Sequence, residues 1–143
     1  MKTLSKDSLL KFLQKVDCDF PVPLSKKVDL CEYALKLIDN ATIFYRDEEG
    51  QIVSLIAGYT NGSEMAYIAI LATQRQFRGK KYAESLLNEF ISFCKGKKLK
   101  AVHLYAVESN KKAVALYEKI GFSKWVCDDE PRPNDLHLIL YLK

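Results

Sequence analysis

Apolar and polar positions along this chain follow two periods, and the switches between them mark out the elements. Leu9, Leu10, Phe12, Leu13 and Val16 recur at helical spacing, so Lys6–Val16 reads as a short amphipathic helix with Ser5 as its cap. Pro21 and Pro23 then force an extended loop over residues 17–23. Val28, Cys31, Ala34, Leu35 and Ile38 share one face of a second helix, expected over residues 25–38. Residues 41–46 and 51–60 read as strands about a turn at 47–50. Asn61-Gly62 suits a hairpin, because both residues accept positive φ. A third strand, 64–73, contains the apolar run from Ile68 to Ala72. A helix over 80–95 follows, with Ala83, Leu86, Leu87, Phe90, Ile91 and Cys94 on one side. Residues 101–107 alternate as a strand. Residues 110–120 form a helix with Ala113, Leu116, Tyr117 and Ile120 inward and Gly121 as its C-cap. Strands at 122–127 and 136–142, joined by an acidic, proline-containing loop, close the chain. Two helices, three antiparallel strands, helix, strand, helix and two strands make an α+β layer fold around a mixed central sheet. No linker, repeat or low-complexity tract divides it, so residues 1–143 read as a single domain.

The junction between the third strand and the following helix carries candidate chemistry. Here a strand runs through a short basic turn into a helix start. The free N–H groups and positive dipole end of a helix attract anions, phosphate above all. Arg75, Arg78, Lys80 and Lys81 surround this helix start with positive charge, which suits a diphosphate. The plainer alternative is a solvated basic turn. Arg78-Gly79-Lys80-Lys81 is not a Walker loop, since no glycine stands at the required spacing before Gly79. It also lacks the second and third glycines of a dinucleotide fingerprint.

Composition narrows the classes further. A chain of 143 residues, 48% hydrophobic, is long and apolar enough for a real core, which argues against disorder. The net charge of +4 is modest for a nucleic-acid binder, and the lysine clusters lack interleaved aromatics. Cys18, Cys31, Cys94 and Cys127 show no metal-binding spacing, and only two histidines are present, so no metal is expected. Lys6, Asp7 and Lys11 interrupt the first apolar residues, so no signal peptide is expected. No apolar run reaches membrane-spanning length. The expectation is a cytoplasmic protein with reduced cysteines and with neither membrane nor nucleic-acid partners.

Two stretches carry a family resemblance. The segment Gln76-Phe-Arg-Gly79-Lys-Lys-Tyr-Ala83 resembles motif A of the GNAT superfamily of N-acetyltransferases, the family's pyrophosphate loop. Val107-Glu-Ser-Asn110, Ala113, Leu116-Tyr117-Glu-Lys and Gly121-Phe122 resemble its motif B, the more specific of the two. The resemblance covers roughly residues 64–122 and implies a GNAT-like mixed sheet, mostly antiparallel, flanked by helices as three α/β/α layers. One departure stands out: Lys81 occupies the place of the family's second motif-A glycine. The first turn of a helix needs no positive φ, so the expectation is an altered loop contact rather than a lost site.

The resemblance implies acetyl-CoA as cosubstrate and direct transfer of its acetyl group to a primary amine of a small molecule or peptide. It assigns pantetheine contacts to the backbone of Leu71, Ala72 and Thr73, and to Asn110. It assigns the diphosphate to Arg78, Gly79, Lys80, Lys81, Tyr82 and Ala83. Tyr117 falls where the family's general acid stands. From the residues alone, Tyr117 could equally be a core tyrosine whose hydroxyl satisfies a backbone group, and Asn110 a helix N-cap. Glu64, Glu108 and Glu32 are candidate bases, with Tyr67, His103 and Tyr105 behind them, and no dedicated base is strictly required. The alternative function is a non-catalytic acyl-CoA-binding regulatory domain, and homodimerisation is left open. Asp17, Asp19, Asp29 and the acidic stretch from Asp128 to Glu130 are expected to border the acceptor cleft, which would favour a cationic acceptor.

Overall fold

The computed structural model describes residues 4–20, 22–62, 64–126 and 135–143. Helices α1 (Lys6–Val16) and α2 (Leu30–Asn40) lead into strands β1 (Thr42–Glu48), β2 (Gln51–Tyr59) and β3 (Met65–Thr73). Helix α3 (Tyr82–Gly96), strand β4 (Ala101–Ala106), helix α4 (Lys111–Ile120) and strands β5 (Ser123–Lys124) and β6 (Leu136–Tyr141) follow. The strands form one sheet in the order β1-β2-β3-β4-β6-β5. Among the described residues only the β3–β4 pair is parallel. The sheet is therefore mixed and mostly antiparallel, as expected.

Local chemistry explains most of the boundaries. Ser5 accepts a hydrogen bond from the Ser8 N–H and starts α1 where expected. Helix α2 begins later than the apolar pattern suggests, because Asp29 caps it by accepting from the Glu32 N–H at 3.0 Å. Residues Leu24–Lys26 form a separate 3-10 turn, and Val28 and Leu35 are exposed rather than on the buried face. Gly121 closes α4 at φ 122, its N–H reaching the Tyr117 and Glu118 carbonyls. The expected strand over 122–127 shrinks to β5, extended by one bond from the Trp125 N–H to the His137 carbonyl. Cys127 and most of the acidic loop lie outside the described residues.

Helices α1 and α2 cover one face of the sheet, and α3 and α4 the other, which makes three layers. The first core joins Leu9, Phe12, Leu13, Val16, Ala34 and Leu37 to Leu55, Ala57 and Ile70. The second joins Leu86, Leu87, Phe90, Ile91 and Tyr117 to Ile56, Ile68, Val102 and Leu104. Ile68 and Ile70 stand two residues apart and should share a face, yet they enter opposite cores. The cause is a β-bulge: Gly58 pairs with Ile68 and Ala57 with Ile70, which leaves Ala69 unmatched. Opposite this bulge the chain carries Gly58, where a Cβ would sit 2.6 Å from Phe90 Cζ and 2.7 Å from the Tyr67 carbonyl oxygen.

Candidate active site

The bulge at Ala69 bends β3 just where its pairing with β4 stops. Residues 65–68 pair with 101–104, and from Ala69 onward the β4-facing edge of β3 is unpaired. The two strands splay, and their open ends meet the N-termini of α3 and α4. A cleft of about 710 Å³ lies on one side of the splay, and a second pocket of about 360 Å³ on the other. Leu71, Asn110, Ala113 and Tyr117 line both.

The larger cleft gathers residues from distant parts of the chain. Leu71, Ala72 and Thr73 supply the free strand edge, and Arg78, Gly79, Lys81, Tyr82 and Ala83 the loop and helix start. Gly79 has φ 89 and Lys81 has φ 63, so both are left-handed. The expectation that lysine is free of conformational strain here is therefore corrected. The loop turns sharply at residue 81 before α3 begins, and in that conformation Cβ crowds the following carbonyl oxygen. This gives a physical reason for a glycine at that place.

Arg78 is held at the cleft from two sides. Its Nε donates to the Thr73 carbonyl at 3.2 Å, and its guanidinium pairs with Asp19 at 3.2 Å. Asp19 also pairs with Arg75 at 3.0 Å. Lys80 behaves differently from its neighbours. Its ammonium meets the Glu48 carboxylate at 3.1 Å and lies over the Phe77 ring, and its side chain does not line the cleft. Tyr82 lines the cleft but donates its hydroxyl to Glu48 at 2.7 Å. These bonds pull the Glu48 carboxyl below its usual range.

Tyr117 sits at the junction of the two pockets with 8% of its surface exposed. Its ring meets Phe122 edge-on at 5.8 Å between centroids. Its hydroxyl makes no hydrogen bond to the protein, although no buried polar side-chain atom among the described residues lacks a partner. The oxygen therefore opens onto the pockets instead of satisfying a backbone group. Burial pushes the phenol up to about 12. Asn110 occupies the N-cap position of α4 without a capping bond from its side chain, so the expected cap does not form. Asn110 lines both pockets.

The sequence model described as the Acetyltransferase (GNAT) family matches residues 9–122. The chain belongs to this family. A mycothiol acetyltransferase from Stackebrandtia nassauensis is 31% identical over 86 residues, 58% of this chain and 28% of that protein. The chain thus matches little more than a quarter of that relative's length. An acetyltransferase of the GNAT family from Staphylococcus aureus Mu50 superposes with a TM-score of 0.77 at 17% identity, covering 96% of this chain and 93% of that one. The PaiA N-acetyltransferase from Thermoplasma acidophilum, in complex with coenzyme A, superposes with a TM-score of 0.76 at 15% identity, covering 99% and 97%. At these identities the structures share the fold.

GNAT enzymes use acetyl-CoA, and the cleft of this GNAT chain has the parts for it. A helix start and Arg78 suit a diphosphate, and a free strand edge suits the amides of pantetheine. None of the candidate carboxylate bases lines either pocket. Glu64 pairs with Lys100 at 2.9 Å on the sheet's far end, and Glu32 stands in the first turn of α2. Tyr67 and Tyr105 do line the smaller pocket. His103 lies behind them, its Nδ1 2.9 Å from His137 Nε2, while Tyr105 stacks on the His137 ring. Of the expected acidic border, Asp17 binds Ser25 and Asp29 caps α2, and neither lines a pocket. Asp19 lines the larger cleft rather than the smaller. Asp128, Asp129 and Glu130 lie outside the described residues. Phe20, Tyr33 and Tyr59 went unnoticed in the sequence, where they read as ordinary apolar positions. No helix among the described residues is long and apolar enough to cross a membrane.

Proposed function

We propose that this chain is an acetyl-CoA-dependent N-acetyltransferase that moves the acetyl group directly to a primary amine, with Tyr117 as general acid. We read residues 1–143 as one such domain, since both cores are built on a single sheet. The observation that carries the proposal is the Tyr117 hydroxyl, unbonded to protein and open at the junction of the two pockets.

Acetyl-CoA supplies an activated thioester. The chain supplies position, donors and a proton. The α3 start and Arg78 would hold the diphosphate, with Gly79, Lys81, Tyr82 and Ala83 completing the site. Lys80 contributes through its backbone, because Glu48 holds its ammonium. The β3 edge at Leu71, Ala72 and Thr73 would hold the pantetheine arm, with Asn110 of the α4 N-terminus as a further polar partner. An unpaired strand N–H faces the reacting carbonyl, and one such donor is worth ~10²–10³ in rate. A neutral amine enters from the smaller pocket and bonds to the carbonyl carbon as the carbon–sulfur bond breaks. Tyr117 Oη gives its proton to the departing sulfur, and the amine's surplus proton restores the phenol through solvent. With its phenol held neutral by burial, Tyr117 stays a donor throughout the working pH range.

Lys81 lines the cleft beside Gly79 and Tyr82, which supports the catalytic reading over the non-catalytic one. The test is Tyr117→Phe, assayed by thiol release with a panel of amines. Turnover should fall at least tenfold while the acetyl-CoA dissociation constant stays within about twofold. Equal turnover by the two proteins would return Tyr117 to a packing role.

A further inference from the structure

The smaller pocket has a one-sided polar lining. Tyr33, Tyr59, Tyr67 and Tyr105 form its walls, and Lys27 and Lys36 stand at its edge. No aspartate or glutamate is among its described lining residues. Among the described residues the ammonium groups of Lys27 and Lys36 make no ion pair or hydrogen bond, and Lys36 Nζ lies 6.0 Å from the centre of the Tyr59 ring. The hydroxyls of Tyr33, Tyr59 and Tyr67 likewise make no hydrogen bond among the described residues. Burial keeps the Tyr33 and Tyr59 phenols protonated, with Tyr33 the more strongly shifted. Ammonium groups can only donate, and neutral phenols donate readily, whereas a carboxylate can only accept. A second ammonium on the acceptor would gain ring faces but meet two lysines that have no carboxylate partner among the described residues.

We infer that this pocket selects small amines whose far end is a carboxylate, held by Lys27 and Lys36, with the acceptor's body against the tyrosine rings. The inference rests on the acetyltransferase reading and names its acceptor class. A pocket of about 360 Å³ suits a molecule of amino-acid size.

The experiment compares three amines of one skeleton by thiol release: 2-phenylethylamine, its para-carboxylate and its para-aminomethyl counterpart. Two exposed cations should raise kcat/KM for the carboxylate about tenfold over the neutral amine, and place the dication below both. In the Lys27→Gln/Lys36→Gln double variant most of that preference should vanish, with the acetyl-CoA KM unchanged. Both lysines are exposed, so folding should be unaffected, which thermal melting checks. Turnover with no preference, or with a preference for the dication, would overturn the inference and leave acetyl transfer standing. If acetyl-CoA binds but no amine is consumed, the acetyltransferase reading fails instead. Calorimetry with the N-acetylated carboxylate and N-acetylated neutral compounds then decides the pocket. Tighter binding of the anion, lost in the double variant, supports the inference, and equal binding overturns it.

Discussion

Replacing Lys81 tests the loop that shapes the larger cleft, because it separates backbone strain from charge. Lys81 sits at φ 63, ψ 25, directly before α3. A left-handed L-residue costs ~1–2 kcal/mol. Glycine removes that cost but loses ~0.5–1 kcal/mol through the greater freedom of its unfolded chain. Lys81→Gly should therefore be between neutral and about 1 kcal/mol more stable than the parent. Lys81→Ala keeps the strain and should be less stable than Lys81→Gly by about 1 kcal/mol, the reverse of the order inside a helix. Both variants lose one exposed cation near a helix N-terminus, worth ~0.3–1 kcal/mol. Acetyl-CoA should bind about two- to fivefold more weakly to each, less so in high salt. Urea denaturation gives the stability order and calorimetry the affinities. If the alanine variant is as stable as the glycine variant, residue 81 is not left-handed in solution and the account of the missing glycine fails. A hundredfold loss of affinity would show that the lysine, not the helix start and Arg78, anchors the diphosphate.

Three other outcomes are expected. Gly58→Ala should lower stability by about 1–3 kcal/mol by chemical denaturation, because the added Cβ meets the Tyr67 carbonyl at 2.7 Å and a backbone oxygen cannot swing away; an unchanged midpoint would refute the close approach at the bulge. Asp19→Asn should tighten acetyl-CoA binding about two- to fivefold at low salt, since it removes the negative charge that pairs with Arg75 and Arg78 in the cleft; weaker binding would mean that Asp19 serves to orient Arg78. The Tyr117 phenol is raised from 10.0 to about 12 by burial, so its contribution to stability is complete below pH 10 and lost as pH rises through about 12. An alkaline fall in turnover well below pH 10 that disappears in Tyr117→Phe would contradict that shift.

Periodicity, caps and turn residues made much of this chain legible without a structure. Ser5, Gly121 and the apolar stripes of α1, α3 and α4 act within a few residues of themselves, so their signals are local. The apolar pattern does not locate the start of α2: Asp29 caps it, while Ser25 is bonded to Asp17, a pairing only the structure shows. The basic turn and the motif residues could be named in sequence, but not their environments. Lys80 is diverted by Glu48, 32 positions away, and Arg78 is held by Asp19, 59 positions away. Lys81 looked unstrained because φ depends on the path the loop must take between β3 and α3. The splay of the sheet rests on one unmatched residue, Ala69, and on a glycine opposite it, neither of which breaks the apolar run. The smaller pocket takes Tyr33, Tyr59, Tyr67 and Tyr105 from one helix and three strands, each in an unremarkable apolar context. Local order follows from bonds between near neighbours and can be read along the chain; a pocket follows from which distant faces the sheet brings together, and only the tertiary structure decides that.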